Sequence, residues 1–141
     1  MNFEQRTRGR AMTIEGMNHF TVISSDLEKT KAFYLEVLSL REGYRPPMES
    51  TGAWLYAKDQ KHSILHIMAE RPMPESAPGV IDHMAFTATD LQSTINTLKQ
   101  HGIAYKLNRM KELGIWQLFC HDPDGAKVEL DFSADEPEPQ E

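Results

Sequence analysis

Apolar and polar positions run along this chain in two stretches of nearly the same shape. "MNHFTVISSDLEKT" (17–30) and "IDHMAFTATDLQST" (81–94) each begin with the alternation of a β-strand. Each then passes through an aspartate, Asp26 or Asp90, placed to cap the N-terminus of a helix. Beyond the cap the apolar residues recur at helical spacing. In the first stretch they are Leu27, Phe33, Tyr34, Val37 and Leu38; in the second they are Leu91, Ile95 and Leu98. Strand-like runs follow each helix: "REGYR", "AWLYAKD" and "HSILHIM" in the first half, then "AYKLNR", "IWQLFCHD" and "AKVELDF" in the second. "DPDG" at 122–125 is a turn signal between the last two.

The pattern is therefore β-α-β-β-β written twice, an α+β chain built by duplication. The offset is 83 − 19 = 64 residues, which places Asn18 on Asp82, His19 on His83, Asp26 on Asp90 and Thr30 on Thr94. A period that long does not describe a solenoid. One such module has too small a core to stand alone, so the two are expected to pack together. The predicted organisation is a disordered arm over 1–13, a module over 14–70, a proline-rich linker over 71–79, a second module over 80–133, and an acidic tail over 134–141.

Composition narrows the class. Of the 141 residues 40% are hydrophobic and 26% charged, as in a soluble globular protein, and the formal charge of −6 argues against nucleic acid or an anionic membrane as partner. No apolar run is long enough to cross a bilayer, and the N-terminus lacks the apolar stretch of a secretory signal, so a cytoplasmic protein is expected. The single cysteine, Cys120, excludes an intrachain disulfide and reads as an inert thiol inside a strand. The tail "ADEPEPQE" has too few apolar residues to order itself by burial.

Candidate chemistry comes from the repeat. Alternate residues of a strand share a face, so Met17, His19 and Thr21 go together, as do Ile81, His83 and Ala85. Aligning "ILHIM" with "VELDF" sets His66 against Glu129 (129 − 66 = 63, one residue lost in a turn). A histidine alone on a strand is more often a satisfied, half-buried residue than a ligand. Four ligand-type side chains at repeat-equivalent positions are not independent accidents, and imidazoles with one carboxylate make a site for Fe(II), Mn(II), Ni(II) or Zn(II). Trp54 and Trp116, on middle strands, could wall an apolar slot or simply pack in the core. Tyr44 and Arg45 could contact a substrate or lie on the surface. His62, His101 and His121 have no ligand-type counterpart in the other module.

"MNHFTVISSDLEKTKAFYLEVLSL", "IDHMAFTATDL" and "QLFCHDPDGAKVELDF" resemble the vicinal oxygen chelate superfamily of glyoxalases, extradiol dioxygenases and fosfomycin- or bleomycin-resistance proteins, over residues 15–132. The resemblance implies paired βαβββ modules curling into a half-open mixed sheet around a divalent ion. By family pattern the metal ligands fall on His19, His83 and Glu129. His66 falls where glyoxalases carry a fourth ligand, commonly a carboxylate or its amide, so a histidine there departs from that pattern. The resemblance further implies an enzyme acting on a small molecule with vicinal oxygens, with Glu129 or His66 moving the proton. Lyase or isomerase chemistry and ring-cleaving dioxygenation are both open. Phe119 stands where the dioxygenases usually carry a tyrosine. Fosfomycin-modifying members need basic residues near the phosphonate, and the late segment offers Lys106, Arg109 and Lys111. The competing class is a metal-free drug- or metabolite-binding protein of the same fold. The family often shares each site between two chains, which implies a homodimer with His19 and His66 from one chain and His83 and Glu129 from the other.

Overall fold

The structure is a computed structural model that describes Met12 and residues 14–75 and 79–140. Apart from Met12, the arm expected over 1–13 lies outside the described residues, as does part of the linker at 71–79, and none of the described helices is long and apolar enough to cross a membrane. The first module runs β1 (Phe20–Ser24), α1 (Leu27–Ala32) continuing as a π-helical turn (Phe33–Val37), β2 (Arg41–Glu42), β3 (Gly52–Tyr56) and β4 (Ser63–Ala69). The second runs β5 (Met84–Thr87), α2 (Leu91–Gln100), β6 (Lys106–Met110), a 3-10 turn (Lys111–Leu113), β7 (Ile115–His121) and β8 (Lys127–Ser133). This is the duplicated α+β architecture the repeat predicts. Only the strand expected over 41–45 is much shorter, covering two residues before the chain leaves the sheet edge.

Both sheets have the same topology, β1-β4-β3-β2 and β5-β8-β7-β6, with the first and last strands of each module parallel and the rest antiparallel. Asp26 accepts from the Lys29 amide at 3.2 Å and Asp90 from the Ser93 amide at 3.1 Å, so both aspartates cap their helices. One face of each sheet is covered by its helix. Phe33, Tyr34 and Val37 from the first module join Leu91, Ile95 and Leu98 from the second in one buried cluster with Leu55, Leu65, Leu118 and Phe132. The two modules thus share a core, as their size demands.

Polar contacts reinforce that junction. The buried Tyr34 hydroxyl donates to Asp122 at 2.9 Å, and Asp124 accepts from the backbone amide of Ser25 at 3.1 Å. The "DPDG" segment is therefore a turn that also fastens the second module to the first helix entry. The acidic tail departs from the sequence expectation. The Glu136 carboxylate accepts from the Asp90 and Leu91 amides at 3.2 and 2.7 Å, and the Trp116 indole donates to the Glu136 carbonyl. Gln92 and Gln140 exchange two further bonds. Composition excludes order by apolar burial; here order comes from polar groups meeting the exposed amides of a helix N-terminus.

Candidate metal centre

The strand register brings the two modules into exact correspondence. Thr21 on β1 pairs with His66 on β4, and Ala85, 64 residues after Thr21, pairs with Glu129 on β8. His66 and Glu129 are therefore equivalent positions on the helix-free faces of their sheets. Next to them, Trp54 pairs with His66 and Phe119 with Glu129.

In the first module three rings lie in a row. Trp54 and His66 stack at 4.0 Å between centroids and 5° between planes, and His66 and His19 stack at 3.8 Å and 23°. The Asn18 Oδ1 accepts from Nδ1–H of His19 at 2.7 Å and from Nε2–H of His62 at 2.8 Å. An amide oxygen can only accept, so the Nδ1 of His19 is the donor, and it is Nε2 that is left to face a ligand. His66 is held well below the ordinary imidazole range, at about 4, first by burial and then by the neighbouring His19, His62 and Arg45. At neutral pH it is an uncharged ligand-type ring, with Nε2 2.8 Å from the Ser63 hydroxyl.

The second module repeats the device. Oδ2 of Asp82 accepts from Nδ1–H of His83 at 2.8 Å, and His83 Nε2 stands 3.3 Å from Oε1 of the buried Glu129. Asp82 is held below the usual carboxylate range, first by that hydrogen bond and then by Lys127, whose Nζ is 3.5 Å away. In a neutral His83, Nε2 is a lone pair facing a carboxylate oxygen. Two acceptors that close require a cation or a proton between them, so the donor set fits a divalent ion. Asn18 and Asp82 are what sequence reasoning passed over: they occupy equivalent places, and a carboxylate or carbonyl behind a ligating histidine fixes its tautomer and direction.

Among the described residues, no three His, Cys, Asp or Glu side chains of one chain stand together to hold an ion. His19 and His66 form one pair and His83 and Glu129 the other. Of the candidate pocket residues, Trp54 lies on the ligand-bearing face. Trp116 does not: it pairs with Phe132, so it faces the helix, is 5% exposed, and carries Arg109 over its ring at 5.0 Å. Trp116 and Arg109 are thus on the opposite side of the sheet from Glu129, a correction to the sequence reading. Tyr44 is 72% exposed, with its carbonyl accepting from Tyr56 at 2.6 Å. Arg45 donates to the Ser50 carbonyl at 2.8 Å and lies close enough to His66 to disfavour its protonation. Asp131, which the sequence reading did not single out, shares the face of Glu129. Its carboxyl is pushed up to about 6, chiefly by burial and next by its hydrogen bond with Glu129.

The comparisons with known proteins agree with this layout. Residues 16–130 match the family model of the Glyoxalase/Bleomycin resistance protein/Dioxygenase superfamily. The chain is 30% identical over 132 residues to Glyoxylase I 4 of Arabidopsis thaliana, covering 86% of this chain and 73% of that protein. It is 31% identical over 120 residues to the glutathione transferase FosA of Serratia marcescens, covering 83% and 80%. Among solved structures it superposes with a TM-score of 0.68 on the fosfomycin resistance protein FosX of Listeria monocytogenes, crystallised with Mn(II) and 1S,2S-dihydroxypropylphosphonic acid, at 21% identity and 86% and 94% coverage. The TM-score is also 0.68 for a glyoxylase/bleomycin resistance protein/dioxygenase domain from Frankia, at 18% identity and 89% and 96% coverage. With duplicated modules, equivalent half-sites and a family match across nearly all of both, the chain belongs to the glyoxalase/bleomycin resistance protein/dioxygenase superfamily.

Proposed function

We propose that this protein is a divalent-metal-dependent enzyme acting on a small substrate with two neighbouring oxygens, by lyase, isomerase or dioxygenase chemistry. Each site takes His19 and His66 from one chain and His83 and Glu129 from a second copy. The observation that carries the reading is the facing pair His83 Nε2 and Glu129 Oε1, 3.3 Å apart, with Nδ1–H of His83 donating to Asp82 on the far side of the ring. The Mn(II) of the Listeria protein, which shares the fold, supports a divalent ion.

When bound, the ion supplies Lewis-acid stabilisation of negative charge developing on the substrate oxygens. The chain's own residues do the rest. Asn18 and Asp82 orient the histidines, and Trp54 offers a flat apolar wall beside His66. Glu129, 7% exposed, is a carboxylate able to take a proton from substrate, and His66, neutral at pH 7, is a second proton carrier. Sharing between chains is supported by exposed apolar residues at equivalent places beside each half-site. Met17 is 76% and Ile81 69% exposed, which a second copy would cover.

The test is the metal content of protein purified without chelators, beside that of Glu129→Ala. Near-stoichiometric iron or manganese lost in the variant supports dioxygenase chemistry; nickel, zinc or cobalt lost in the same way supports lyase or isomerase chemistry. No metal in either protein, even after reloading, overturns the reading in favour of a metal-free binding protein.

A further inference from the structure

His62 has no ligand-type counterpart in the second module, and the metal centre described above gives it no role. The offset that relates His66 to Glu129 sets it on Gly125, which has no side chain (125 − 62 = 63). It stands in the turn between β3 and β4, immediately before β4 begins. That turn is braced from β2, where Arg41 donates to the carbonyls of Lys58 and Gln60 at 2.5 and 2.6 Å. From it the His62 Nε2–H reaches Asn18 Oδ1 at 2.8 Å, the same oxygen that accepts from Nδ1–H of His19 at 2.7 Å. One carbonyl oxygen thus holds two imidazoles, and one of them is a ligand of the proposed site.

The two modules place different groups behind their ligating histidines. Either oxygen of the Asp82 carboxylate can accept from His83, so turning that side chain over changes nothing. Asn18 has one end that accepts and one that donates. Turned over, it would present its NH2 to Nδ1 of His19, and a neutral ring would then carry its proton on Nε2, the nitrogen needed for the ion. His19 alone does not choose between the two amide orientations, because ring and amide can change together. With His62 on the same oxygen, both rings would have to move their protons or forfeit a bond. We propose that His62 is a positioning residue of the metal centre, whose Nε2–H holds the Asn18 oxygen toward His19 and so keeps Nε2 of His19 open to the ion. The inference rests on the metal-site reading above. It also accounts for the missing counterpart, since the carboxylate behind His83 has no wrong end to guard against.

The experiment measures the Zn(II) affinity of full-length protein at one fixed pH, by competition with a chromophoric chelator. His62 is exposed, so substitutions there leave the core intact. His62→Leu is expected to bind zinc roughly tenfold more weakly, the lower end of the loss when a partner behind a metal-bound histidine is removed. His62→Gln, whose amide still donates, should stay within about threefold of wild type. In an Asn18→Asp background the leucine substitution should cost less than about twofold, because either carboxylate oxygen then serves His19; a residue that merely packs would cost the same in both backgrounds. Equal losses in the two backgrounds would overturn the proposal, as would unchanged affinity in His62→Leu or a glutamine variant as weak as the leucine one. Proton–nitrogen correlation of the metal-free protein reads His19 directly. Wild type should carry the proton on Nδ1 and His62→Leu a mixture of tautomers; an unmixed Nδ1 form in the variant speaks against the proposal without any metal present. A wild type that takes up no divalent ion while His19 keeps the Nδ1 form overturns the metal-site reading itself, and His62 then has no ion to serve.

Discussion

The Tyr34 hydroxyl donates to the Asp122 carboxylate at 2.9 Å, joining the first module to the second across 88 residues of sequence. Both groups are buried. Asp122 also accepts from the Asp124 and Ala126 amides at 2.9 Å, and these bonds offset the upward push of burial on its carboxyl. Tyr34→Phe removes one of the donors without changing the shape of the core. The expected loss is about 1.5–3 kcal/mol, the range for a hydrogen bond to a charged group. Urea denaturation followed by both fluorescence and circular dichroism reads it. Because the modules share a core, the two probes should still trace one transition; separate midpoints would show that the modules unfold independently.

Gly52 stands at the start of β3, where a Cβ would lie 2.0 Å from the Ile67 carbonyl oxygen. The obstacle is backbone of the adjacent strand and cannot rotate away. Gly52→Ala must push β3 off β4, the strand that carries His66, and is expected to cost about 3 kcal/mol or more, at or above the usual range for overpacking. Thermal unfolding measures the cost. An alanine variant as stable as wild type would mean that the β3–β4 edge yields freely.

Cys120 is buried in β7, and burial, with Asp122 nearby, pushes its thiol up to about 11 from the ordinary value of 9.0. The folded pKa lies above the unfolded one, so the thiol's contribution to stability is fully present below pH 9 and is lost as pH rises through about 11. The stability difference between wild type and Cys120→Ala should therefore shift in favour of the alanine variant across that window. At pH 8 the thiol is protonated and enclosed, so its labelling by iodoacetamide should follow the rate or extent of unfolding. Fast labelling of folded protein would contradict its placement.

The repeat was legible because backbone geometry and ligand spacing obey the same period. Asn18–His19 and Asp82–His83 sit 64 residues apart, and the pairings Thr21–His66 and Ala85–Glu129 carry that equivalence across the sheets. Trp116 stays open between slot and core in the sequence because alternation within β7 says nothing about which parity faces the helix. That is fixed by the register with β8, where Trp116 meets Phe132 and Phe119 meets Glu129. Counting outward from the Asp122–Gly125 turn would have found it. The tail was misread for a different reason: apolar content forecasts burial, but Glu136 is held by helix-terminal amides. Asp131 gave no signal at all, since nothing in "VELDF" distinguishes a solvent carboxylate from one enclosed beside Glu129.

The division of ligands between chains can be tested without knowing the substrate. His19→Ala and Glu129→Ala should each lose metal as pure proteins, because every site then lacks one ligand. If sites are shared, a heterodimer of the two variants contains one site lacking both ligands and one with none missing. In the intact site, His19 and His66 come from the Glu129→Ala chain and His83 and Glu129 from the His19→Ala chain. Refolding the variants together at equal concentration gives half heterodimers, each with one of two sites whole, so metal should return to about a quarter of the wild-type content. Elemental analysis of the mixed and separate proteins makes the comparison. Sites built within a single chain cannot be repaired by mixing, and the content would then stay at the level of the separate variants. The described residues favour repair, since His19 and His66 gather on one sheet, His83 and Glu129 on the other, and no three ligand-type groups of one chain stand together to hold an ion.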